Sequence, residues 1–340
     1  MVYFKDKSSP FGEPHLIILD DQHQRDAKRD GNLQFIGEFH YTKGYWEWNE
    51  DVLSRCGKRL CLINAYDTVY ALLFTYDHNS VIIKVFCKAW CPFTNTLLTS
   101  FGELSISLWD LHDLAGLPMV GCLYDEVVPS TLELTGADEK GGRFIPHSSK
   151  YLLYAYHLLQ GLDDDRCSNV SIDKWVFWSK KVIKYHLSAP RKEKNMVRPK
   201  STHNLLGNLK EKVYLAAHLA SWLCTFVLPG KNVNSIRPST FKMASIMASG
   251  RRVSLAIPIL ASIYEGLNTI ATSSRPARIS PSFPIHFIYA WLASYFKTHY
   301  PIWQGLHGPK MRKFSGKEGA KYYDPQEARK QIRSSSSLRL

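Results

Sequence analysis

The chain has 340 residues, 45% of them apolar and 13% aromatic, which fills one large or two ordinary globular cores and excludes disorder as the default state. A formal charge of +13 favours polyanionic partners, although charge bears on association and solubility rather than on fold. Seven cysteines, an odd and sparse set, exclude a disulfide framework and read as reduced and intracellular.

The N-terminal "MVYFKDKSSPFGEPH" has no apolar stretch of the secretory type, and residues 1–42 are expected to form a surface arm with one strand-like patch at Leu16 to Leu19. The sequon at Asn169 is therefore expected to be unused. From Tyr45 the pattern turns helical: "YWEWNEDVLSRCG" is expected to stop at Gly57, and "RLCLINAYDTVYALLF" places Leu62, Tyr66, Val69 and Leu73 on one stripe. "SVIIKVFCKAW" is a further helix stopped by Pro92. "TNTLLTS" and "GELSISL" alternate with a period of two and predict a hairpin. At Leu108 the period changes, so that Leu108, Leu111, Leu114 and Ala115 predict a short helix started at Asp110 and ended by Gly116 and Pro118. "VGCLYDEVV" is expected to add an extended segment and "STLELTGADEKGGR" a loop.

The remainder reads as helices: "SKYLLYAYHLLQGL", "SIDKWVFWSKKVIKYHL", "NLKEKVYLAAHLASWLCTFVL", "PSTFKMASIMASG", "VSLAIPILASIYEGLNTIA" and "SFPIHFIYAWLASYFKTH". Asn208 with Glu211 resembles a capping box, and Pro229-Gly230 ends that helix. The apolar run from Val213 to Leu228 falls short of the roughly 20 residues of a membrane span. Residues 188–204 are polar, basic and proline-marked, an exposed loop. Beyond Pro309 the chain becomes a basic, weakly hydrophobic tail, expected to stay disordered without a partner.

Few constellations carry chemistry. Cys87 and Cys91, four apart on an expected helix, lack the second pair that a structural zinc needs. Asp163, Asp164 and Asp165 are sequence neighbours that spread outward from a turn, whereas two-metal catalysis needs carboxylates converging from separate elements. "HSSK", with Lys150, lacks the phosphate cup and acidic partner of a pyridoxal site, so Lys150 reads as part of a helix start. No P-loop, GxGxxG, HExxH or nucleophile elbow occurs. Ser254, behind Arg251 and Arg252, is a candidate phosphosite or helix cap. Two basic clusters, Lys180, Lys181, Lys184 and Arg191, Lys192, Lys194, Arg198, Lys200, and the tail residues Lys310, Arg312 and Lys313 are candidate phosphate contacts.

Taken in order, "YWEWNEDVLSRCG", "AYDTVYALLFTYD", the block from Phe86 to Gly121, "AAHLASWLCTFVLPG", "IRPSTFKMASIMASG", "LAIPILASIYEGLN" and "FPIHFIYAWLASYF" closely resemble the plant mobile domain, often labelled "aminotransferase-like", over roughly residues 40–305. The motif residues are Gly102, Glu103, Trp109, Asp110, Gly116, Leu117 and Pro118. The resemblance implies a plant protein of a group found in transposable elements and in nuclear, maintenance-of-meristems-type host proteins linked to transposon silencing, with a phosphatase-like partner. It brings no catalytic residues and no cofactor, and the aminotransferase label has no established active site behind it.

The resulting expectation is a mainly α fold with a small β-hairpin or sheet (α+β): an arm over 1–42, a helical domain over 43–308 and a basic disordered tail over 309–340. Its function is expected to be that of a non-enzymatic nuclear interaction module with a protein partner and no membrane association. The alternatives are direct DNA or RNA binding through basic loops and tail, and a pyridoxal- or metal-dependent enzyme.

Overall fold

The computed structural model describes residues 2–3, 42–137, 144–161, 169–180, 200–232, 234–274, 280–302 and 308–334. In chain order the elements are β1 (Val2–Tyr3), α1 (Tyr45–Leu62), α2 (Tyr66–Ala71), α3 (Ser80–Ala89), β2 (Trp90–Cys91), β3 (Thr96–Thr99), β4 (Gly102–Leu104), α4 (Leu108–Ala115) and β5 (Cys122–Leu123). There follow α5 (Thr131–Thr135), α6 (His147–Gln160), α7 (Ile172–Trp178), α8 (Lys200–Trp222), α9 (Phe241–Ala248), β6 (Val253–Ser254), α10 (Ala256–Thr272), α11 (Ile285–Phe296) and α12 (Pro325–Arg333). The fold is mainly α with a small antiparallel sheet, as the sequence patterns predict. β2, β3 and β4 form a meander, and β1 pairs with the edge of β4, Val2 opposite Leu104.

The chain divides into two compact units, each built from separated segments. The first joins Phe74–Gly116 to Ala256–Leu340 and includes β1. Its core holds Phe86, Trp90, Phe283, Trp291 and Phe296, all buried. α11 is apolar all round and correspondingly buried on nearly every face, as expected of a central helix. The second unit comprises Phe39–Leu73 and Leu117–Leu255. There α8 packs against α1, α6 and α9, with Trp48, Trp175, Trp222, Phe226 and Phe241 at the centre. The Trp175 ring stacks on Phe241 at 5.2 Å, and its indole nitrogen donates to the Ala217 carbonyl at 3.0 Å.

Several expectations are corrected. α1 runs straight through Gly57 to Leu62, and the break comes at Asn64, whose φ of 56° turns the chain into α2. The predicted stripe from Leu62 to Leu73 is thus split between two helices. Cys91 lies in β2 while Cys87 lies in α3, so the two do not share a helix face. Within the predicted loop after Pro129, α5 forms around a capping box in which Ser130 and Glu133 satisfy each other's backbone amides. Asn208 and Glu211 lie inside α8, which starts at Lys200 and takes up the end of the predicted loop over 188–204. The C-terminal segment, expected to be disordered, folds over residues 308–334. A 3-10 turn buries Met311 and Phe314, and α12, capped by Asp324 and Glu327, buries Ala328 and Ile332. Composition missed this because a short amphipathic helix needs only one narrow apolar stripe once a partner surface, here α3, is supplied.

Candidate functional site

The motif segment is held by backbone geometry and local hydrogen bonds in the first unit. Gly102 adopts φ 142°, and the Thr99 hydroxyl donates to its carbonyl at 2.5 Å, closing the β3–β4 hairpin. Thr96 donates to the Glu103 carboxylate at 2.9 Å. Ser107 and Asp110 form a capping box at the start of α4, and the same Asp110 accepts a hydrogen bond from the Tyr295 hydroxyl at 2.6 Å. Gly116, at φ 69°, donates its amide to the His112 carbonyl and ends the helix in the left-handed conformation. Leu104, Ile106, Leu111 and Leu114 are buried, whereas Leu108 is only half-buried. Trp109 points outward, 70% exposed. In the second unit Leu117 is buried, and the Pro118 carbonyl accepts the Leu255 amide at 2.9 Å.

A dense polar constellation lies in the second unit and is not signalled by the sequence. The Arg237 Nε donates to Glu126 Oε1 at 2.6 Å, and its Nη2 reaches Glu126 Oε2 at 3.4 Å and the Leu228 carbonyl at 2.7 Å. Tyr124 donates to Oε2 at 2.8 Å and Ser239 to Oε1 at 3.1 Å. Burial opposes ionisation of Glu126, but Arg237, Tyr124 and Ser239 outweigh it and hold the carboxyl below the ordinary glutamate range. Beside it Lys242 joins Asp125 at 2.7 Å and Glu133 at 3.6 Å. Every oxygen of Glu126 is engaged, so the cluster acts as a lock between the chain around 124–126 and that around 228–239. No local pattern signals it, because Glu126 and Arg237 are far apart in sequence.

The candidate phosphate contacts are described only in part. Lys180 donates to the Gly44 carbonyl at 3.2 Å. Lys181, Lys184, Arg191, Lys192, Lys194 and Arg198 lie outside the described residues, as do the three aspartates at 163–165. Lys200 starts α8. Lys310 pairs with Asp113 at 2.6 Å, the Arg312 guanidinium lies 5.0 Å from the centre of the Phe74 ring, and Lys313 is half-buried. Lys310 and Arg312 thus have intramolecular partners. Ser254, the candidate phosphosite, lies in β6, is 3% exposed, and its hydroxyl donates to the Met119 carbonyl at 2.8 Å. A kinase would meet it only after the strand opened. Among the described residues no group of His, Cys, Asp and Glu is arranged to hold a metal ion, and no helix is long and apolar enough to cross a membrane.

What the second unit does present is an apolar helix face. On α6, Leu152, Ala155, Tyr156 and Leu159 are buried, while Tyr151, Tyr154 and Leu158 form an outward stripe at spacings of three and four. Phe144, three residues before α6, is also exposed, its ring lying over Gly136, where an added Cβ would come within 2.8 Å. Leu132 of α5 is exposed next to it in the fold, since α5 packs on α6. The sequence hid this face because "SKYLLYAYHLLQGL" is apolar on both sides, so periodicity does not say which side a core covers.

No curated protein and no solved structure matches the chain. The family model for the plant mobile domain does match, over residues 165–339, a span that reaches through α12 and leaves the motif residues from Gly102 to Pro118 outside it. Covering just over half of the 340 residues, and spanning the helices from α7 to α12, this match shows that the chain belongs to the plant mobile domain family, which is linked to transposon-related proteins.

Proposed function

We propose that the chain is a non-enzymatic nuclear interaction module of a transposon-derived or transposon-silencing, meristem-maintenance-type plant protein. In this reading it docks a nuclear protein partner, phosphatase-like in type, on the outer face of α6. The observation that carries the reading is the stripe of Tyr151, Tyr154 and Leu158, with Phe144 and Leu132 also exposed. Exposed aromatic and aliphatic side chains on a rigid helix gain roughly 1.5–3 kcal/mol each when a partner covers them fully, and tyrosine is enriched among residues that dominate interfaces. The polar cluster around Glu126 and Arg237 is spent on internal hydrogen bonds, which supports a structural rather than a catalytic use. Pull-down from plant nuclear extract should recover a defined protein set with the wild-type chain and lose it with Tyr151→Ser/Tyr154→Ser/Leu158→Ser, the two proteins having the same thermal melt. Recovery of the same set by the folded variant would sink the reading.

A second reading, direct nucleic-acid binding, is favoured by the exposed Arg329 and Lys330 on α12 together with the charge of +13. It requires DNA or RNA binding that falls steeply with salt and weakens in Arg329→Glu/Lys330→Glu. Salt-independent or absent binding would remove it.

A further inference from the structure

We propose that the corner formed by the end of α1, the segment 119–123 and the turn 250–252 binds an extended acidic peptide that carries aliphatic side chains. The inference rests on the reading of the chain as an interaction module but assigns a different surface from α6. The corner is contiguous: the Arg252 Nε donates to the Leu62 carbonyl at 3.0 Å, the Arg252 carbonyl accepts the Cys122 amide at 3.0 Å, and a Cβ on Gly250 would lie 3.4 Å from the Leu62 side chain. Three aliphatic side chains stand out of it, Leu62 57%, Val120 73% and Leu123 75% exposed. Around them are three exposed cations, Lys58 one turn before Leu62 on α1, Arg251 and Arg252. Among the described residues no carboxylate forms an ion pair with any of these three, whereas the neighbouring Arg55 and Arg59 are paired with Asp51 and Glu211. Ser254, the serine that Arg251 and Arg252 precede, is buried in the folded chain.

The backbone supplies the third element. β5 and β6 form a two-stranded parallel sheet, Cys122 opposite Val253, with β6 buried and β5 on the surface. A strand with one edge uncovered by another strand is a template for an added peptide. An extended peptide laid along this edge presents side chains to both of its sides, so aliphatic residues can cover Leu62, Val120 and Leu123 while acidic ones meet the cations around them. A nucleic-acid backbone would match the charge but would leave the aliphatic side chains against phosphate, and it is therefore not the assigned occupant.

The test is fluorescence anisotropy of the full chain with a short fluorescein-labelled peptide alternating leucine or valine with aspartate or glutamate. Binding is expected to weaken by about tenfold or more in Arg251→Glu, a position with no ion pair among the described residues, and by a similar factor in Leu123→Ser. The α6 variant should bind the peptide as the wild type does. Four outcomes overturn the proposal: no binding to the folded chain, binding indifferent to both substitutions, equal binding of the same peptide with serine in place of its aliphatic residues, or Arg251-dependent binding of a single-stranded oligonucleotide in preference to the peptide. If the peptide fails while the α6 stripe still governs nuclear partners, this corner falls and the module reading stands. If the peptide binds and the α6 variant keeps every nuclear partner, the α6 assignment falls instead.

Discussion

At the scale of single residues the unexpected feature is a neutral histidine inside an aromatic box. His218 is fully buried, its ring stacked 5.8 Å from Tyr45 and edge-on to Trp48 at 5.0 Å, and neither ring nitrogen has a hydrogen-bond partner among the described residues. Burial alone pushes its pKa down from 6.5 to about 3. The unfolded chain therefore takes up the proton first, so the stability that His218 leaves intact is fully present above pH 6.5 and is lost as pH falls towards about 3. The slope in that window is at most about 1.4 kcal/mol per pH unit. We expect denaturant unfolding, followed by tryptophan fluorescence, to show a steeper loss between about pH 6.5 and 5 in the wild type than in His218→Leu; equal slopes would contradict the assignment. Neither this box nor the Glu126–Arg237 lock is legible in sequence, because each joins residues that local patterns cannot relate. Asp110 was legible as a helix-start residue, since capping is settled within four residues, but its bond from Tyr295 was not.

At the scale of elements, starts and stops were read well where the signal is a backbone requirement and badly where it is a preference. Gly116 ends α4 because a left-handed residue is needed there. Gly57 ends nothing, since glycine tolerates a helix interior and merely weakens it. Two helical glycines, Gly57 and Gly266, make opposite predictions. At Gly57 an added Cβ would meet the Tyr66 ring at an ordinary 3.4 Å, so Gly57→Ala should stabilise the second unit by up to about 1 kcal/mol. At Gly266 the same atom would lie 2.0 Å from the buried Phe283 ring, so Gly266→Ala should destabilise the first unit by roughly 1–3 kcal/mol, overpacking outweighing propensity. Thermal melts of the two variants should move in opposite directions, and a shift of the same sign would show that packing around Phe283 is looser than its contacts indicate.

For the whole molecule, the C-terminal segment is the largest revision. Residues 308–334 belong to the core of the first unit: the Ser100 amide donates to the Arg333 carbonyl at 3.0 Å, the Gln331 side chain donates to the Phe296 carbonyl, and Met311, Phe314, Ala328 and Ile332 are buried. Ending the chain at Gly308 should therefore remove several kcal/mol from that unit, at roughly 1.5–3 kcal/mol per large apolar side chain uncovered. Lower melting and dye binding to newly exposed apolar surface would show it; an unchanged melt would mean that the segment only rests on the surface. The family match, which extends to residue 339, includes this segment, whereas the resemblance read from sequence stopped near 305.

By itself the sequence determined the fold class, the β3–β4 hairpin, the order of the main helices and the family, because periodicity, caps and turn residues act within a few positions and helical blocks keep their order. Tertiary structure alone decided that two units interleave along one chain, which face of an apolar helix stays outside, and which charges are spent internally. It also decided that a basic tail folds. Each of these depends on what a segment finds opposite it, and burial, unlike helix capping, is a property of the partner surface as much as of the residues themselves.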